Sequence, residues 1–385
     1  MDTRQIAEFL NSAQQDILNN QVIVNQDLSN IVDLGKALFT ENQNNNFLNN
    51  LVDRIATTIF DNKMYKANDL GIVKSNYEYG GALQKIYTKL PKATLSNTWE
   101  LQDNTEYNQD IYLKPVIITK YYNKQVVYNI PISSLTYKQL ENAFTSRESI
   151  TQLFDMIVTS VMNSIEFNKE ILEQTTLNNL IAETLAKDLN GGTDYTTKST
   201  LKVVNLLHLY NSTHTDAQLD KTNCLYNKDF IKFAVETIKM CKTRLTKYSK
   251  SFNVGELETF TDTESQRLVL IDNFKSAIDT TIIDSYNVEN LQLNAKSVPY
   301  WQGSASEYLF TDCSRINATT ASGQSIDISG IIGVLFDKDA CGVWKSDFRI
   351  KTHENSAAEF VNYWYKLEAS YYNDLNKNAI VFVVN

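Results

Sequence analysis

Proline and glycine are scarce in this chain, with 4 and 12 among 385 residues, and histidine is scarcer still at 3. With 43% hydrophobic and 21% charged residues, such a composition is globular rather than disordered, and the length supports two or three cores. Cys224, Cys241, Cys313 and Cys341 are far apart and include no C-x-x-C pair, which argues against a zinc site or disulfide frame and for reduced structural thiols. A basic excess is also missing. The net charge of -9 and the lack of a Lys/Arg cluster argue against a dedicated nucleic-acid grip, which must neutralise phosphates. No run of about 18 apolar residues occurs, and the opening MDTRQIAEFL lacks a basic region followed by an apolar stretch. The expectation is a soluble protein made in the cytosol, with no membrane partner.

Signatures of catalysis are equally sparse. His208 and His214 have neither the i, i+4 spacing nor the glutamate of a metalloprotease helix, and His353 stands alone. There is no G-x-S-x-G elbow and no G-x-x-x-x-G-K-[ST] loop. YGGAL at Tyr79 to Leu83 and NGGT at Asn190 to Thr193 read as turns, since both lack the lysine or third glycine of a phosphate cradle. Asp337 and Asp339 in FDKDA follow a predicted strand, where α/β enzymes place carboxylates, but nothing nearby completes a site and a solvated turn is the simpler reading. Glu106 and Asp110 in EYNQD, with Glu100 or Asp103 and the rings of Trp99 and Tyr107, would suit a carbohydrate-active enzyme; an exposed polar loop competes and is favoured. No catalytic residue, cofactor or metal is expected.

What the chain does have is one very long helical pattern. SRESITQLFDMIVTSVMNSIEFNKEILEQTTLNNLIAETL, Ser146 to Leu185, contains no proline or glycine. Ile150, Leu153, Phe154, Ile157 and Val161 recur at three- and four-residue steps, which stacks them on one face as a helix core. Thr145 with Glu148 forms a capping box, and Asn190-Gly191-Gly192 supplies a stop. Asn168 and Thr175-Thr176 interrupt the stripe, which argues against a sustained coiled coil; the interruptions should mark where the helix leaves the sheet and bends or contacts something more polar.

Around this helix the pattern divides the chain. Residues 1–60 read as an arm, with short amphipathic helices in IAEFLNSAQQDIL and NNFLNNLVDRIATTIF joined by the polar ENQNNNF; helices this short need packing partners to persist. Residues 61–134 contain two extended runs, Ile111 to Tyr121 and Gln125 to Ile132, read as a hairpin turning near Asn123 and Lys124, with Pro115 and Pro131 confining both to edge positions. Alone such a ribbon is marginal, so it needs a surface to cover its apolar side. Residues 135–198 hold the long helix, and 199–339 read as α/β: helices in STLKVVNLLHLYNS and NKDFIKFAVETIKMCKTRLTKYS, a strand in RLVLID followed by a helix, and a strand from Ile328 to Phe336. Residues 340–385 carry three strand-like stretches, SDFRIKTH, FVNYWYKLEASYY and NAIVFVVN, read as an antiparallel meander whose apolar face the long helix covers.

Taken in order, these parts resemble the major capsid proteins of tailed bacteriophages with the Hong Kong 97 fold, above all those of small short-tailed phages. YNIPISSLTYKQLENAFTSRESITQLFDMIVTSVMNSIEFNKEI looks like the family's passage from E-loop into spine helix, and GIIGVLFDKDACGV like the re-entry from axial to peripheral domain. The resemblance implies an α+β fold with an N-arm, an E-loop hairpin, a spine helix with an antiparallel peripheral sheet, and an α/β axial domain. It implies a subunit of the virion that self-assembles as pentamers and hexamers into an icosahedral head, assembled in the host cytoplasm. A scaffolding protein and a portal would be partners, and double-stranded DNA would be enclosed without sequence-specific contacts. Inter-subunit contacts would come from the hairpin through Val116, Ile118, Tyr122, Lys124 and Val127. Some family members crosslink a hairpin lysine to a neighbour's asparagine; Lys120 or Lys124 could take that role, but the asparagine and assisting glutamate find no match. The rivals are an encapsulin-like compartment shell, for which no cargo pocket can be named, and the carbohydrate-active enzyme of Glu106 and Asp110.

Overall fold

The computed structural model describes residues 3–15, 23–40, 70–74, 83–91, 93, 103–104, 116–122, 124–131, 135–136, 144–188, 198–283, 293–302, 309–355 and 360–385. The chain is a mixed α/β protein in which one long helix lies against two sheets. Near the N-terminus, α1 (Thr3–Gln15) and α2 (Ile31–Thr40) bury Ile6, Ala7, Leu10, Ile31 and Leu34, and α1 rests on the long helix. Asn11 fixes the connection, accepting the Val24 N–H at 2.7 Å and donating to the Val24 carbonyl at 2.9 Å. The first expected arm helix is therefore present; the second, NNFLNNLVDRIATTIF, lies outside the described residues.

The long helix, α3, runs from Arg147 to Asp188, 42 residues, or about 63 Å at 1.5 Å per residue. Val161 is buried, whereas the side chains of Ile150, Leu153, Phe154 and Ile157 lie outside the described residues. The polar positions behave differently from the expectation. Instead of ending the buried part, Thr175-Thr176 falls inside it: residues from Leu172 to Ala186 are mostly buried, and Thr176 hands its hydroxyl proton to the Leu172 carbonyl at 2.7 Å. Thr184 does the same with the Leu180 carbonyl at 2.8 Å, and other polar side chains of this stretch are docking points for loops. Gln174 and Asn178 donate to the Trp301 carbonyl at 3.0 and 2.6 Å, and Glu183 accepts the Ala321 N–H at 2.5 Å. A helix that threads between several elements must meet their backbone groups with side-chain hydrogen bonds, since an unsatisfied buried amide costs about 1–3 kcal/mol.

The central sheet has the order β5 (Val203–Asn205), β13 (Ala379–Val383), β10 (Ile331–Asp337), β6 (Gln266–Ile271), β7 (Lys296–Val298). Its outer pairs are parallel and its inner ones antiparallel. Every residue of β10 and β13 is buried, as strands covered on both faces require. Helices α4 (Leu206–Thr213), α5 (Lys228–Leu245) and α6 (Asp272–Ile283) pack beside one another and on β6, β7 and β13. Two expectations need correction here. STLKVVNLLHLYNS is not wholly helical: Val203–Asn205 pairs with β13, and the helix begins after Asn205, whose side chain caps it by accepting the His208 N–H at 3.1 Å. The C-terminal run is no third strand of a meander either, because AIVFV is apolar at every position and joins the doubly covered sheet.

The second sheet is antiparallel, ordered β11 (Cys341–Asn355), β12 (Phe360–Asn373), β3 (Lys124–Pro131), with β4 (Leu135–Thr136) continuing along β12. Tyr363, Tyr365, Leu367 and Ala369 of β12 are buried on alternate positions, and α3 packs on all three main strands. Pro131 sits at the sheet edge, as expected. Besides the passage through α3, two short crossovers join the sheets, after β10 and after β12, and they lie side by side. Asp374 donates its N–H to Ala340 at 2.6 Å and Asp337 to Asn378 at 3.0 Å.

Candidate assembly surfaces

The expected hairpin is corrected by the strand pairing. β2 (Ile117–Tyr122) and β3 both form, but they do not pair with each other: β3 belongs to the sheet of β12, and β2 pairs with β1 (Leu83–Thr88). Alternation makes the β1–β2 ribbon two-faced. One face carries Leu83, Lys85, Tyr87, Ile118, Lys120 and Tyr122, all partly buried. The other presents Ile86, Ile117 and Tyr121, which are 62%, 58% and 69% exposed, with Leu90 and Val116 exposed just beyond. Ile86 stands opposite Thr119, so Ile117 and Tyr121 are its diagonal neighbours and the three form one apolar strip.

The partly buried face is tethered at the two crossovers. The Lys85 ammonium donates to the Asp339 carbonyl at 2.7 Å and to the Asp374 carboxylate at 3.2 Å, and lies 4.2 Å from the Tyr372 ring centroid. The Tyr87 hydroxyl donates to the same Asp374 oxygen. Burial lowers the Lys85 pKa, against the pull of Asp374, and burial together with that hydrogen bond raises the pKa of Tyr87. Lys74 forms an ion pair with Asp339 at 2.8 Å. Burial works to raise the Asp339 pKa, but the Lys74 contact prevails and the net shift is downward.

Of the residues expected at the hairpin surface, Val116 is exposed beside β2, Ile118 and Tyr122 face the subunit body, and Lys124 and Val127 belong to β3. Lys120 is also on the body-facing side. The ribbon strand Leu83–Thr88 and the strip of Ile86, Ile117 and Tyr121 were not anticipated. The alternation in LQKIYT was the available signal, but nothing local says which distant strand it pairs with.

The remaining candidates resolve into structure. Asp337 is buried, not solvated: it accepts the Thr261 hydroxyl at 2.9 Å and the Asp339 N–H at 2.9 Å, holding the crossover turn. His214 stacks on Tyr210 at 4.1 Å, His208 lies in α4, and His353 is exposed on β11. All four cysteines are buried thiols; burial pushes those of Cys224 and Cys341 up to about 12 and that of Cys241 up to about 11, so they are poor nucleophiles. Glu106 and Asp110 lie outside the described residues. Among the described residues no group of His, Cys, Asp and Glu is placed to hold a metal ion, and no helix is long and apolar enough to cross a membrane.

Comparison with known proteins gives a consistent likeness. The family model described as Phi29-like phage major capsid protein matches residues 7–383. The major capsid protein of Bacillus phage GA-1 is 22% identical over 347 residues, covering 88% of this chain and 60% of that protein, so the chain spans less than two thirds of this curated relative. Among solved structures, the capsid of Staphylococcus phage Andhra superposes with a TM-score of 0.50 at 11% identity, over 81% of this chain and 83% of that one, a likeness of fold.

Proposed function

The chain belongs to the Phi29-like phage major capsid proteins, and on that premise we propose that it builds the head shell by laying the outer face of its β1–β2 ribbon on a neighbouring copy. The observation that carries this reading is the strip of Ile86, Ile117 and Tyr121, an apolar face that the chain itself leaves exposed. Exposed apolar strips of this kind mark contact sites, and each Å² covered contributes about 25 cal/mol before ordering costs. In this reading the ribbon is the E-loop in the Hong Kong 97 sense, residues 1–60 the N-arm, α3 with β11, β12 and β3 the peripheral domain, and 199–339 the axial domain. Strand β13 joins the axial sheet, so the boundary at residue 340 does not divide the chain cleanly between the two sheets.

Heterologous contacts closing into pentamers and hexamers give the icosahedral shell. The net charge of -9 suits a container that encloses double-stranded DNA without gripping it. A scaffolding protein and a portal complete the proposed partners, and Val116, exposed just beyond the strip, stays in the proposed contact. Sedimentation velocity of the purified chain over a range of salt and protein concentration tests assembly directly. A discrete fast-sedimenting particle is expected; only slow species under every condition, with or without scaffold, overturn the reading.

A further inference from the structure

The ribbon is fastened to the body in an unusual way. Its body-facing side sets Lys85, Tyr87, Lys120 and Tyr122 beside only two aliphatic residues, Leu83 and Ile118, while its solvent side leaves Ile86 and Ile117 exposed. Among the described residues, the hydrogen bonds from ribbon to body end on two groups, the Asp339 carbonyl and the Asp374 carboxylate. The backbone pairing of β1 with β2 lies within the ribbon, so separating ribbon from body breaks none of it.

The body half is preformed. Asp374 is fully buried, its second carboxylate oxygen accepts the Asn376 N–H at 3.1 Å, and its own N–H and carbonyl are held by Ala340 and Lys377. On the other side, one residue separates the end of β2 at Tyr122 from the start of β3 at Lys124, so the ribbon meets the second sheet at a short joint. A buried ion pair adds little stability over an apolar pair of the same size, but it specifies one geometry and is costly to half-break. The lowered Lys85 pKa agrees: burial outweighs the attraction of Asp374.

We propose that Lys85, Tyr87 and Asp374 form a releasable latch that holds the ribbon on the subunit body and, when opened, frees it as a unit. The latch is a property of the single subunit and goes beyond the shell reading, so it is tested on unassembled protein, and either idea can fail without the other. Opening exposes polar groups that water can solvate, which keeps it local rather than global. Because Asp339 and Asp374 lie in the two crossovers, the latch couples ribbon position to the junction between the sheets.

The test uses Ile118→Cys, on the body-facing side, and measures its maleimide labelling rate by mass spectrometry beside that of native Cys241. The Cys241 thiol, in α5 and buried, reports on the body. Asp374→Asn and Lys85→Met are each expected to speed labelling at position 118 by ~10-fold or more while Cys241 stays protected. Unchanged rates in both single variants overturn the latch. So does Cys241 labelling that rises in step with position 118, because the cluster would then be part of the global core.

Discussion

Replacing Ile86 and Ile117 together by aspartate is expected to leave the subunit folded and to abolish shell formation. Both side chains point to solvent in the single chain, so their loss removes no core contact. Covering an isoleucine on a neighbour is worth about 2 kcal/mol, so the pair contributes roughly 4 kcal/mol per contact. That is about a thousandfold in the association constant of each contact, before the cost of burying two carboxylates. In a closed shell the contact repeats at every subunit, so the loss compounds. Circular dichroism and a urea midpoint near the parent's, with no particles by size-exclusion chromatography, is the predicted pair of results. Particles at the parent's yield would remove the ribbon strip from the assembly interface.

The second large effect concerns the fold. Gly330 joins β9 (Ser325–Ile328) to β10 at a φ of +89°, a conformation that costs other L-residues about 1 kcal/mol or more. A Cβ there would lie 2.2 Å from the Val384 carbonyl oxygen and 2.8 Å from Lys221 Cε. The lysine can move, although it is held by Ser329 and Asn385 at 2.9 to 3.1 Å. The carbonyl cannot move freely, because the Val384 N–H is bonded to Gly330 itself at 2.7 Å. Gly330→Ala is therefore expected to cost about 3 kcal/mol or more, combining backbone strain with a clash against main chain. Urea unfolding of the unassembled subunit measures it; a loss under about 0.5 kcal/mol would mean the β9–β10 joint is not held as described.

Much of the fold was legible where one local rule decides. The α3 helix follows from apolar spacing unbroken by proline or glycine, and α5, β6 and α6 from equally plain patterns. Failures came where pairing partners are distant. The runs at Ile117 and Lys124 were both correctly extended, yet adjacency in sequence suggested a hairpin, while 28 residues separate Thr88 from Ile117 in the ribbon that exists. NAIVFVVN was recognisable as a strand, and its unbroken apolar character, which marks a strand covered on both faces, outweighs its nearness to β12. The polar residues of α3 misled for a related reason. Thr176 looks like a gap in a stripe until its hydroxyl is seen to bond the Leu172 carbonyl of the same helix, which lets it lie buried.

The candidate surface was less legible than the fold. Val116 is exposed beside β2 whereas Ile118 and Tyr122 lie on the partly buried face, because strand alternation gives two faces and not which one meets the body. Lys85 and Asp374 are 289 positions apart, and no local pattern links them.

Cryo-electron microscopy of the assembled particle tests the ribbon contact most directly. The predicted result is a closed shell in which Ile86, Ile117 and Tyr121 are buried against an adjacent subunit. A shell in which those three side chains face solvent, with subunits joined elsewhere, would contradict it.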